Sequence, residues 1–128
     1  MYKFELPIPP SANRYWRNVR GNMVVSSEAK HYKHSAGWLA KAAGVREPLT
    51  GPVAVMIGYY RPERRGDLDN RLKCLLDALN GIAYTDDSQV VAIISYRQES
   101  PKNGRIEICV KPVPAMNIAK MEEMYERI

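Results

Sequence analysis

Val53-Ala54-Val55-Met56-Ile57-Gly58-Tyr59-Tyr60 is the clearest strand in the chain, a run of β-branched and aromatic residues that Pro62 stops. A strong helix follows over residues 68–80, then a second strand over 90–97 (Val-Val-Ala-Ile-Ile-Ser-Tyr-Arg). Pro101-Lys102-Asn103-Gly104 reads as a turn into a strand at 105–111, so these last two strands are expected to form a hairpin. Upstream, residues 2–8 alternate as a short strand halted by Pro9-Pro10. A polar loop over 11–26 ends in a short strand at Met23-Val24-Val25. Ser26 or Ser27 caps a helix that runs to about Ala43 and is stopped by Gly44. Ala115 to Ile128 reads as a terminal amphipathic helix. The order β-α-β-α-β-β-α predicts an α/β fold, an α+β two-layer sandwich with helices packed on one mixed sheet.

At 128 residues the chain is expected to be one domain, residues 1–128. Its apolar share of 45% and charged share of 26% are those of an ordinary globular protein. No apolar run approaches the roughly 20 residues that span a bilayer, and Met1-Tyr2-Lys3-Phe4-Glu5 lacks the apolar core of a signal peptide, so a cytoplasmic protein without a membrane partner is expected. Cys74 and Cys109 sit in apolar surroundings without partner spacing and read as reduced core thiols. A net charge of +5 favours an anionic partner, although composition alone does not separate DNA, RNA and acidic lipid.

Chemistry concentrates in Arg61-Pro62-Glu63-Arg64-Arg65-Gly66-Asp67-Leu68-Asp69-Asn70-Arg71-Leu72-Lys73. Two carboxylates two residues apart open a helix inside a run of cationic side chains, and a second acidic pair, Asp86-Asp87, follows one helix later. With Asp69 at the origin of a helical wheel, Leu68, Leu72, Leu75, Leu76 and Leu79 fall between about 240° and 340°, the buried stripe. Asp69, Asn70, Lys73, Asp77 and Asn80 fall between about 0° and 100°, on the exposed face. A bland account exists: Asp67 as a cap, Asp69 paired with Lys73 at i,i+4, and Asp86-Asp87 as a polar turn. The chemical account is a site for Mg²⁺, which takes hard oxygen ligands, in a metal-dependent nuclease. Lys73 would then neutralise charge at the scissile phosphate, while Arg61, Arg64, Arg65 and Arg71 grip flanking phosphates. Arg14, Tyr15, Trp16 and Arg17, with Arg20, interleave cations and aromatics, which suits phosphate contact and base stacking; Tyr15 or Trp16 serves equally well as an anchor of the loop to the core. His31 and His34 have a metal-compatible i,i+3 spacing but read as ordinary surface histidines.

Three blocks, in order, resemble the RusA family of Holliday-junction resolvases: Leu6-Pro7-Ile8-Pro9-Pro10-Ser11-Ala12-Asn13-Arg14-Tyr15-Trp16-Arg17; Arg65-Gly66-Asp67-Leu68-Asp69-Asn70 with Lys73; and Asp77-Ala78-Leu79-Asn80-Gly81 leading to Tyr84-Thr85-Asp86-Asp87-Ser88-Gln89-Val90. The resemblance covers roughly residues 2–112. It implies an α/β homodimer, frequent in prophages, that uses Mg²⁺ or Mn²⁺ to nick four-way DNA junctions symmetrically in recombination and repair. It also implies that Asp67, Asp69 and Asp87 bind the metal, that Lys73 is essential, and that Asp86 is the structural member of its pair. Alternatives are a less selective nuclease of flaps and forks, or a DNA-junction binding module without activity. Met121, Met124, Tyr125 and Ile128, in the extra helix from Ala115, have no counterpart in a compact family member and read as core packing or dimer contact.

Overall fold

A computed structural model describes residues 1–61, 71–99 and 104–113, with Glu122, Glu123 and Glu126 of the C-terminal stretch. Residues 62–70, residues 100–103, which hold most of the turn expected at 101–104, and nearly all of the terminal helix expected from Ala115 lie outside the described residues; the three glutamates are helical and exposed.

The strand at 53–60 extends by one residue as β4 (Val53–Arg61) and sits at the centre of a four-stranded sheet. Helix α3 (Leu72–Ala78) connects it to β5 (Val90–Glu99), which pairs parallel to β4. Strand β6 (Arg105–Pro112) pairs antiparallel on the other side of β4, and β1 (Tyr2–Leu6) pairs antiparallel with β6 beyond it. The order is β1-β6-β4-β5. The sheet is mixed, as the sequence predicts, but β5 and β6 are not a hairpin. They flank β4, with Glu99 opposite Arg61 on one side and Arg105 opposite Tyr60 on the other. The reason lies in β4 itself. Its residues are buried on both faces, and as an inner strand it takes β5 along one edge and β6 along the other.

One face of the sheet, built from Phe4, Leu6, Val53, Val55, Ile57, Ile106, Ile108 and Val110, packs against α3 and α2 (Ser27–Ala42). Helix α2 brings the small residues Ala29, Ala36 and Ala40 to this contact, and α3 brings Cys74, Leu75 and Ala78. Both cysteines are free; burial pushes the Cys74 thiol up to about 11, which makes it an inert core group.

The loop expected over 11–26 is more ordered than its polarity suggests. It forms one helical turn, α1 (Ala12–Tyr15), and a hairpin of β2 (Trp16–Val19) and β3 (Asn22–Val25). Positive φ at Arg20 (51°) and Gly21 (83°) gives the tight two-residue turn, and the Asn18 side chain accepts from the Gly21 N–H at 3.0 Å. The signal is hard to read because arginine rarely takes the first of those two positions. Between this hairpin and α2 stands Ser26. Its hydroxyl accepts from the Ala29 N–H (3.2 Å) and donates to the Arg14 carbonyl (2.6 Å), while its N–H donates to Tyr15 O (2.8 Å). Ser26 thus caps α2 and fixes the α1 turn. Ser26→Ala should cost about 0.5–2 kcal/mol, read as a lower urea midpoint at unchanged slope; an unchanged midpoint would remove the cap from this account.

Candidate active site

Helix α3 delivers Lys73 and Asp77 to one face, one turn apart. Their side chains pair at 3.3 Å, with Lys73 55% and Asp77 22% exposed. The lysine also lies over the Tyr15 ring, 5.8 Å from its centroid. Tyr15 itself is buried, and its hydroxyl donates to Asp77 Oδ2. Of the helix face foreseen over 68–80, α3 carries Lys73 and Asp77, while Asn80 lies beyond its end and Asp69 and Asn70 lie outside the described residues; the described partner of Lys73 is Asp77, four residues on.

Asp87 reaches the same place from the turn before β5. Gly81 (φ 75°) reverses the chain after α3, and its N–H donates to Tyr84 O (2.8 Å). Tyr84 is fully buried, its hydroxyl donating to Leu76 O (2.7 Å). A single 3₁₀ turn, Asp87–Gln89, then opens β5. Asp86 caps it: its carboxylate accepts from the Ser88 N–H (3.0 Å), and the Gln89 side-chain oxygen accepts from the Asp86 N–H (2.8 Å). The amide of Gln89 donates to Leu49 O (2.9 Å) and Gly51 O (2.8 Å), tying the turn to the loop that enters β4. Asp86 is therefore committed to backbone, and Asp87 is the one aimed at α3.

The Asp87 carboxyl hydrogen-bonds Asp77. That bond and burial hold Asp87 above the ordinary carboxylate range, with Lys73 opposing. Asp77 lies below that range: burial works against its charge, but donation from Tyr15, Asp87 and Lys73 outweighs it. The two act in opposite senses on stability. Asp77 stabilises the fold above the ordinary range and loses this contribution as pH falls through its own lowered value. Asp87 stabilises it when protonated and loses this as pH rises through its raised value. Two neighbouring carboxyl groups offer hard oxygens, so the donor chemistry fits a divalent ion. Among the described residues no group of three metal-ligating side chains assembles; Asp67 and Asp69, expected to complete the set, lie outside them, as do Arg64 and Arg65.

The cations and aromatics expected at DNA divide into two groups. Trp16 (45% exposed) and Arg17 stand on β2 in solvent, and Arg14 is exposed with a loose pairing to Glu28 at 3.6 Å. Arg14 also lines a cavity of about 390 Å³ with Ser11, His31 and Arg71. Tyr15 takes the anchoring role that the sequence leaves open, because its hydroxyl is committed to Asp77 and its ring is buried. Arg61, expected at flanking phosphates, is only 6% exposed, because β4 runs one residue further than foreseen and carries it into the sheet opposite Glu99. Arg71 is half-buried and donates to Pro9 O, joining α3 to the N-terminal segment. Sequence reasoning passes over three contributors: Asp77, the Tyr15 hydroxyl and Gln89. The i,i+4 spacing of Lys73 and Asp77 and the cap spacing of Asp86 and Gln89 are available signals. Nothing local links Tyr15 to a residue 62 positions away.

No described helix is long and apolar enough to cross a membrane. The model of the family described as endodeoxyribonuclease RusA matches residues 7–111. The crossover junction endodeoxyribonuclease RusA of Escherichia coli strain K12 is 38% identical over 111 residues, which is 85% of this chain and 92% of that protein. The proteins of the same name from Shigella sonnei strain Ss046 and Enterobacteria phage 82 are 37% and 36% identical over the same shares. The resemblance seen in the three sequence blocks is thereby borne out over most of the chain, and with it the expected nuclease activity: the chain belongs to the RusA family of endodeoxyribonucleases.

Proposed function

We propose that this chain is a Mg²⁺-dependent endodeoxyribonuclease that resolves Holliday junctions by paired symmetric nicks, and that it works as a homodimer. The observation that carries the reading is the convergence of Asp87, Asp77, Lys73 and Tyr15 from three separate segments inside the span the family model matches. Asp67, Asp69 and Asp87 hold the metal, with Mn²⁺ able to substitute. When bound, such an ion supplies an activated water and charge relief at phosphate oxygens. The protein's own part is positioning and electrostatics. Lys73, half-exposed and steered by Asp77, presents its ammonium to the scissile phosphate as charge develops there. Tyr15 keeps Asp77 in place. Arg14, Trp16, Arg17, Arg64, Arg65 and Arg71 take flanking phosphates and bases. One acidic centre per chain serves one strand at a time, and a two-fold dimer supplies the second centre without new residues.

The first test uses labelled four-way junction, fork, flap and linear duplex with and without Mg²⁺. Junction cut in paired nicks, and only with metal, is expected. Equal cutting of forks and flaps would favour the less selective nuclease, and binding without any cutting the inactive module. Asp69→Asn and Asp87→Asn should each abolish cutting while junction binding is retained, since an amide is a poorer ligand but nearly the same shape. Either variant cutting at wild-type rate would sink the assignment of that residue. In sedimentation the active species should have twice the 14.6 kDa chain mass; a monomer that still makes paired nicks would rule out the dimer.

Lys73→Ala should lower turnover roughly 10²–10³-fold with little change in junction affinity. Tyr15→Phe separates anchoring from stacking. It keeps the ring and removes the donor to Asp77, so turnover should fall and stability drop by about 1.5–3 kcal/mol while affinity holds. A Tyr15→Phe protein with wild-type stability and turnover would leave the hydroxyl without a role. By contrast, Arg64→Ala with Arg65→Ala should weaken binding and flatten its salt dependence by about 0.9 of slope for every phosphate no longer neutralised; an unchanged slope would take those arginines away from DNA.

A further inference from the structure

Helix α2 carries a cationic surface that the acidic centre does not use. Lys30, Lys33, His34, Trp38 and Lys41 fall at i, i+3, i+4, i+8 and i+11, one stripe of the helix, and all are exposed. The only acid of α2, Glu28, pairs with Arg14 instead. The stripe walls a groove of about 630 Å³ whose opposite side is the turn at Asn80, Gly81 and Ile82. Gly37 permits this closeness, since a Cβ there would lie 3.3 Å from Ile82 Cδ1. Lys33 Nζ donates to the carbonyls of Asp77 (3.1 Å) and Asn80 (3.4 Å), and Lys30, Lys33 and Asn80 also line the adjoining cleft that contains Tyr15 and Asp77. The groove is therefore continuous with the candidate active site. At its far end Trp38 is 68% exposed, yet its indole N–H donates to His34 Nε2 at 3.1 Å, which fixes the ring's rotation. A large aromatic ring held in one orientation and left in water offers a face on which a base could stack.

We propose, resting on the nuclease reading above, that this groove receives a DNA strand leaving the catalytic centre. Lys30 and Lys41 contact its phosphates, and Trp38 stacks on a base left unpaired near the branch. From Lys30 to Lys41 the helix rises about 16 Å, the axial length of about five nucleotides of one strand. Charge complementarity alone would also admit an acidic protein segment. Continuity with a phosphodiester-cutting centre and an indole face suited to a base select nucleic acid.

The test measures junction binding in EDTA, where no cutting occurs, across a range of salt, and cleavage separately in Mg²⁺. Lys30→Ala with Lys41→Ala should flatten the salt slope by about 0.9 for each phosphate that the pair neutralises in the wild type. Trp38→Ala should weaken binding roughly tenfold, with Trp38→Phe restoring most of it because a stacking face returns. In a Trp16→Phe background, the remaining Trp38 fluorescence should be quenched by junction DNA. Wild-type affinity, slope and fluorescence in these proteins would overturn the groove while leaving the nuclease reading intact, provided the wild type cuts. Loss of binding in the variants, with a wild type that binds but never cuts, would keep the groove and remove the nuclease reading. Variants that bind normally but melt at lower temperature would give the groove to a segment of the chain itself, and the proposal would fail.

Discussion

The carboxylate of Asp77 accepts from the Tyr15 hydroxyl of the N-terminal segment and pairs with the Lys73 ammonium of its own helix, and the Asp87 carboxyl stands beside it from the turn before β5. Two of these groups, Tyr15 and Asp87, come from very short segments. The α1 turn is four residues long, and the turn holding Asp87 is three. Neither could be placed by its own helical hydrogen bonds, because elements so short do not form on propensity alone. An ionised acceptor partly withdrawn from water adds to the anchors that Ser26 and Gln89 supply, since charge-assisted hydrogen bonds are about twice as strong as neutral ones.

This junction depends in turn on the sheet. Strand β4 is buried on both faces and, as an inner strand, takes β5 and β6 on its two edges and fixes the line along which β5 begins. That line sets where Asp87 emerges. Gln89 then locks the emergence point by bonding Leu49 and Gly51, the residues that lead into β4. The position of a candidate metal ligand is thereby referred to the most buried element of the fold. A site on a rigid strand end is held more closely than one on an unsupported loop.

How much of this is legible in the sequence follows the range of the interactions. Strand β4, helix α2 with its Ser26 cap and the extent of β6 are encoded by periodicity and end signals over a few residues, and the sequence reading agrees with the structure there; of the leucine stripe, Leu72, Leu75, Leu76 and Leu79 meet the core, on a described helix shorter than the 68–80 foreseen. The pairing of β5 with β6 is misread because adjacency in sequence is only a tendency. Which strand a neighbour pairs with is a property of the whole sheet. Of the β2–β3 hairpin only the strand at Met23-Val24-Val25 is foreseen, because the turn rests on an arginine at positive φ, which no common turn pair announces.

At the site the same division holds with a chemical twist. Residues that would touch metal or phosphate are conspicuous, because carboxylates gathered against their own repulsion, or cations in a run, stand out in any local window. Residues that position them do not. Tyr15 looks like half of an aromatic stacking pair with Trp16, and the two rings do meet edge-on at 4.8 Å, yet they point to different ends. One is buried on a carboxylate and the other is open to solvent. The difference comes from α1 ending at Tyr15 and β2 beginning at Trp16, so that the chain direction changes between them. The α2 stripe is obscured for the opposite reason: lysines spread along an exposed helix are commonplace, and only the approach of the Asn80–Ile82 turn, allowed by Gly37, turns them into one side of a groove. A cationic side chain acquires a function through what stands opposite it, and that is a property of the tertiary fold.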